Sequence, residues 1–118
     1  MNRITQSGAH IMVQHLTKNF VATTPANELP VEWVTRARGL QQQLGRVLGV
    51  TPAAADIEEL VTTFEELDSV EAGTHPDLVR NGAGTVDNTQ TLVDHLVQRL
   101  NQETADLLTT ARFGQVAA

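Results

Sequence analysis

The sequence predicts an all-α fold, a four-helix bundle or a compact orthogonal helical array. Three observations lead there. Apolar residues recur at helical spacing in four separate stretches. The prolines, Pro25, Pro30, Pro52 and Pro76, fall between those stretches or at their starts. No stretch alternates apolar and polar residues with a period of two between turn signals, so strands are not expected. With 118 residues and 12.8 kDa, of which Leu, Ile, Val and Phe make up 32 residues, the expectation is a single folded domain over 1–118.

The first helix is expected over about 5–22. Ala9, Met12, Val13, Leu16 and Phe20 occupy an arc of about 100° on a helical wheel. Thr23, Thr24 and Pro25 end it, because the residue before a proline is pushed out of the helical region. The second helix, 30–48, opens on Pro30 and stops at Gly49. Its stripe is Trp33, Ala37, Leu40, Leu44, Val47 and Leu48, and Glu32 with Arg36 is spaced for an i, i+4 ion pair.

The third helix is expected over 52–67, with Thr51 as N-cap and Pro52 in the first turn. Ala53, Ile57, Leu60, Val61, Phe64 and Leu67 form its inner face, and Glu58, Glu59, Glu65 and Glu66 point away. Asp68 and Glu71 project onto the apolar side, so either the helix ends or loosens near Leu67, which is the expectation, or these two carboxylates meet a partner. After a break at 73–88, in which Thr74 to Asp77 are spaced for a single helical turn, Asp87 and Gln90 have capping-box spacing. The fourth helix is expected over 89–112, its stripe running through Val93, Leu96, Val97, Leu100, Thr104, Leu107, Leu108 and Ala111. Gly114 is its expected stop, and Phe113 lies off the stripe.

The net charge of −6 is unevenly spread. Residues 1–50 carry five bases and two acids; residues 51–118 carry three bases and twelve acids. No Lys or Arg lies between Arg46 and Arg80, and the three arginines of the second helix scatter around it. Nucleic-acid binding needs clustered cations, so no nucleic-acid partner is expected. No apolar run approaches the length of a membrane span, and residues 1–6 lack the pattern of a signal peptide. With no cysteine, thiol catalysis, disulfides and cysteine-held metals are excluded. The expected location is the cytoplasm or an assembly built there.

Enzyme chemistry finds no complete set of residues. Asn81-Gly82-Ala83-Gly84 lacks the spacing and lysine of a phosphate loop. Ser7 and Ser69 are not in a nucleophile-elbow context. His10 and His15 are five apart and share no helix face, so neither a metal site nor a cofactor is expected.

His15-Leu16-Thr17-Lys18-Asn19 gives His-x-x-Lys-Asn on an amphipathic helix. This segment resembles the phosphoacceptor site of histidine phosphotransfer domains and of one class of sensor-kinase dimerisation domains. The resemblance implies His15 as phosphoacceptor, with Lys18 steadying the phosphate charge. It departs at Phe20 and Val21, which are bulky where the family has small residues, and at Pro25, where the helix stops. Gly84-Thr85-Val86-Asp87-Asn88, ahead of a long last helix, is similar to the segment opening the final helix of flagellar proximal rod proteins. That likeness implies an assembly subunit; the match to their N-terminal signature, at Asn19 to Pro25, is loose.

The function expected from these residues is a non-enzymatic helical protein–protein interaction or structural assembly module. Its partner is itself, in a homo-oligomer, or another protein, in an assembly of phage or virion, secretion or adaptor type. Ile4, Ile11, Val21, Val31, Val34, Leu92 and Phe113 are left over from the four stripes and are candidates for subunit contacts. Glu59 and Glu66, two turns apart on the far side of the third helix, and Phe113 are the candidate partner-binding residues. A phosphotransfer module using His15 and Lys18 is the alternative.

Overall fold

The structure, a computed structural model, describes residues 6–117, with side chains for residues 7–111. Four helices make up the fold: α1 (Gln6–Ala22), α2 (Pro30–Leu48), α3 (Ala54–Glu71) and α4 (Thr89–Ala117). No strand occurs among the described residues, and the chain is all-α as expected. α1 is central: it packs against each of the other three, while α3 also lies along α4 and α2 docks mainly on α1.

α2 matches its expected bounds because both ends are chemically marked. Pro30 occupies the first turn, and the Glu32 carboxylate accepts the N–H of Leu29 at 3.2 Å. Gly49 closes the helix in the left-handed region, at φ 76°, with its N–H on the Gly45 carbonyl.

α3 differs at both ends. It starts at Ala54, past Thr51 and Pro52, and the Pro52 carbonyl instead accepts the side-chain amide of Gln41 at 2.8 Å. It does not stop near Leu67. Val70 is buried, Asp68 and Glu71 turn to solvent, and the terminator lies six residues further on. Gly73 sits at φ 75°; its N–H reaches the Val70 carbonyl and that of Thr74 reaches Ser69, the paired bonds of a Schellman motif.

The 72–88 connection is tied by its own hydrogen bonds. A turn runs from His75 to Leu78, not a helical turn, and a single bridge joins Arg80 to Val86 around an Asn81-centred turn. The expected capping box is not formed: Asp87 accepts from Asn81, and Gln90 donates to Asp94. Asn88 flanks the helix start, accepting the Val79 N–H and donating to the Asp77 carbonyl. α4 then runs 29 residues, about 44 Å at helical rise, and passes through Gly114 to Ala117. One glycine costs a helix about 1 kcal/mol against alanine, which is not enough to end it.

The core is built from Val13 and Phe20 of α1, Leu40 and Leu44 of α2, Leu60 and Phe64 of α3, and Leu100, Leu107 and Leu108 of α4. Leu96 is also buried. The α1 stripe is rotated from the expected one. Thr17 is wholly buried and Met12 is exposed, because the Thr17 hydroxyl donates to the Val13 carbonyl and enters the core with its polar group satisfied. Thr104 is buried in the same way, and Thr63 is buried with its hydroxyl turned to α4. The molecule measures 58 × 31 × 22 Å with a radius of gyration of 16.4 Å, against about 13–14 Å for a compact chain of this length.

Candidate functional site

Among the described residues, two clusters built on arginine–glutamate pairs and a groove between α2 and α3 stand out. The first cluster closes the α1–α2 turn. Arg36 donates from Nε and Nη2 to the two carboxylate oxygens of Glu28, from Nη1 to the Phe20 carbonyl at 2.9 Å, and from Nη2 to Thr24 Oγ1 at 2.9 Å. Its guanidinium lies 3.9 Å from the Phe20 ring centre. Arg36 therefore bonds Glu28, not Glu32 as its spacing suggested. Glu32 is taken up by the N-terminus of α2.

The second cluster fills the α3–α4 seam. The Thr63 hydroxyl donates to Glu103 Oε1 at 2.6 Å and accepts from Arg99 Nε at 3.1 Å. Arg99 also pairs with Glu66, whose other oxygen meets His75 Nε2 at 3.1 Å. His75 is buried, and its Nδ1 accepts the N–H of Asp77 at 3.0 Å. That bond leaves the ring proton on Nε2, aimed at Glu66. Burial pushes the Glu103 carboxyl above the ordinary glutamate range; the Thr63 bond and Arg99 oppose this, while Glu59 and Asp106 add to it.

This seam corrects the picture of α3. Glu59 is exposed, but Glu66 is half-buried and bonded within the chain, so the two do not form one open flank. The base that meets α3 is Arg99 of α4, whereas Arg36 is spent on Glu28. The side chain of Phe113 and all of Ile4 lie outside the described residues. His15 and Lys18 are both exposed on α1, on either side of the buried Thr17. The polar contacts of α1 with α4 are made by His10 and Gln14 instead. Among the described residues, no three His, Asp or Glu side chains are grouped to hold a metal ion, and no helix is long and apolar enough to cross a membrane.

The groove lies between α2 and α3, which diverge from their short connection. It encloses about 240 Å³ and is lined by Trp33, Val34, Ala37 and Arg38 on one side and Ile57 and Glu58 on the other. Trp33 meets the Phe20 ring edge-on at 6.1 Å, so one part of the indole belongs to the core and another to the groove. Val34 is 43% exposed at this groove, and Leu29 and Val31, at the start of α2, are 58% and 68% exposed. Of the leftover apolar residues, Ile11, Val31 and Val34 are exposed, whereas Val21 packs on the core and Leu92 is half-buried. Sequence periodicity places Trp33 in the core stripe but carries no signal that α3 stands off from it.

No protein-family model, curated protein or solved structure matches this chain.

Proposed function

We propose that the chain is a non-enzymatic helical interaction module that works in a homo-oligomer or larger protein assembly. The observation that carries this reading is the N-terminal end of α2: Leu29, Val31 and Val34 are all exposed, and Val34 lines an open groove. Scattered exposed apolar residues are ordinary on any surface. Three within six positions, one of them lining the groove with the half-buried Trp33, concentrate exposed apolar surface of the kind that protein contacts cover. The elongated outline adds surface for such contacts. Light scattering after size exclusion, across the micromolar range, tests the reading. A mass rising above 12.8 kDa with concentration supports it; a strict monomer counts against the homo-oligomer.

The alternative is supported by the exposure of His15 and Lys18, since a phosphoacceptor imidazole must be open to its donor. Its test is phosphotransfer from a panel of response-regulator receivers. An acid-labile label lost in His15→Gln and kept in His10→Gln supports that alternative, and no label with any receiver removes it.

A further inference from the structure

We infer that the α2–α3 groove is a two-fold interface that takes α2 of a second copy of this chain. The inference rests on the assembly reading and deepens it by naming the surface and its occupant. Val31 and Val34 stand one helical turn apart on the exposed side of α2, and Val34 also forms the rim of the groove. Knob and groove thus lie side by side on one face. That is the arrangement an isologous contact needs, because each copy must offer both the inserted side chains and the cleft that receives them.

The charges point to the same occupant. Arg38 stands on the α2 rim and Glu58 on the α3 rim, both exposed. A peptide of uniform charge satisfies one rim and is repelled by the other. A second copy related by a two-fold axis sets its Glu58 against Arg38 and its Arg38 against Glu58, so both rims are met twice over. The floor, Trp33, Ala37 and Ile57, offers apolar surface to the incoming valines.

The chain has a single tryptophan, so Trp33 reports this site alone. In the wild-type protein, Trp33 emission is expected to shift to shorter wavelength as concentration rises, in step with a dimer mass. Arg38→Glu and Glu58→Arg, each alone, set like charges together at both symmetric contacts and are expected to weaken association about tenfold or more. An equimolar mixture of the two variants restores opposite charges at both contacts, so it is expected to form a heterodimer of wild-type affinity. Unfolded variants cannot give that rescue. Failure of the mixture to recover association overturns the two-fold pairing. Assembly by mass with no change in Trp33 emission overturns this interface and leaves the assembly reading standing. A monomer at every concentration overturns both the interface and the homo-oligomer.

Discussion

Arg36 grips Glu28 at two points while stacking on Phe20, and so ties the α1–α2 turn back onto both helices. The Glu28 side chain is only 5% exposed, so its charge depends on this one partner. Removing one half of a buried pair leaves the other uncompensated. Arg36→Ala is therefore expected to cost about 3 kcal/mol in chemical denaturation. Arg36→Lys keeps the charge but loses the second nitrogen and the bond to the Phe20 carbonyl, and is expected to fall between the two. A lysine variant as stable as the parent would show that charge alone holds the turn.

Leu96 and Leu100 sit one turn apart on the buried face of α4, at 1% and 5% exposure. Truncating either to alanine is expected to cost about 2–5 kcal/mol, with the spread set by how far neighbours close the cavity. Urea unfolding monitored by circular dichroism measures it. A loss below about 0.5 kcal/mol at both sites would mean that α4 is not packed through this face.

Helix existence and most of the core were legible because periodicity is a property of one helix at a time. The α2 ends were legible as well, since Pro30 and Gly49 act through local backbone geometry. Thr17 was hidden because a hydroxyl that bonds its own helix is polar in composition and apolar in effect. The end of α3 lies beyond the expected Leu67 because Asp68 and Glu71 turn to solvent and Gly73, in the left-handed region, is what terminates the helix. Arg99 with Glu66 spans 33 residues, and nothing in either helix marks the other as its partner. The divergence of α2 from α3, which opens the groove at Trp33, depends on how both rest against α1.

Glu66 and Glu59 look equivalent along α3 and are expected to behave differently. Glu66→Ala leaves the buried His75 Nε2–H without its acceptor and Arg99 without its carboxylate, an expected loss of about 1–3 kcal/mol. Glu59→Ala removes an exposed side chain and is expected to stay within about 0.5 kcal/mol of the parent. Thermal melts of the two single variants separate them. Equal effects would mean that the Glu66 bridge contributes nothing and that α3 presents one uniform acidic face.

Glu103 gives α3–α4 packing a pH dependence whose sign follows from burial. Its carboxyl is raised above the ordinary glutamate range chiefly by desolvation, so the folded chain keeps this proton to higher pH than the unfolded chain does. The stability it contributes is present at low pH and is lost as pH rises through the interval between the unfolded and folded values. The carboxyl is half-buried and still reached by water, which limits the effect to a few tenths of a kcal/mol, roughly. Glu103→Gln stays neutral throughout and keeps a carbonyl oxygen for the Thr63 hydroxyl. It is expected to melt at or slightly above the parent at neutral pH, with the difference closing as pH falls below the ordinary glutamate range. Melting curves at several pH values, at constant ionic strength, read this directly. A variant clearly less stable at neutral pH would show that attraction between Glu103 and Arg99 outweighs the cost of burying the carboxylate, reversing the sign argued here.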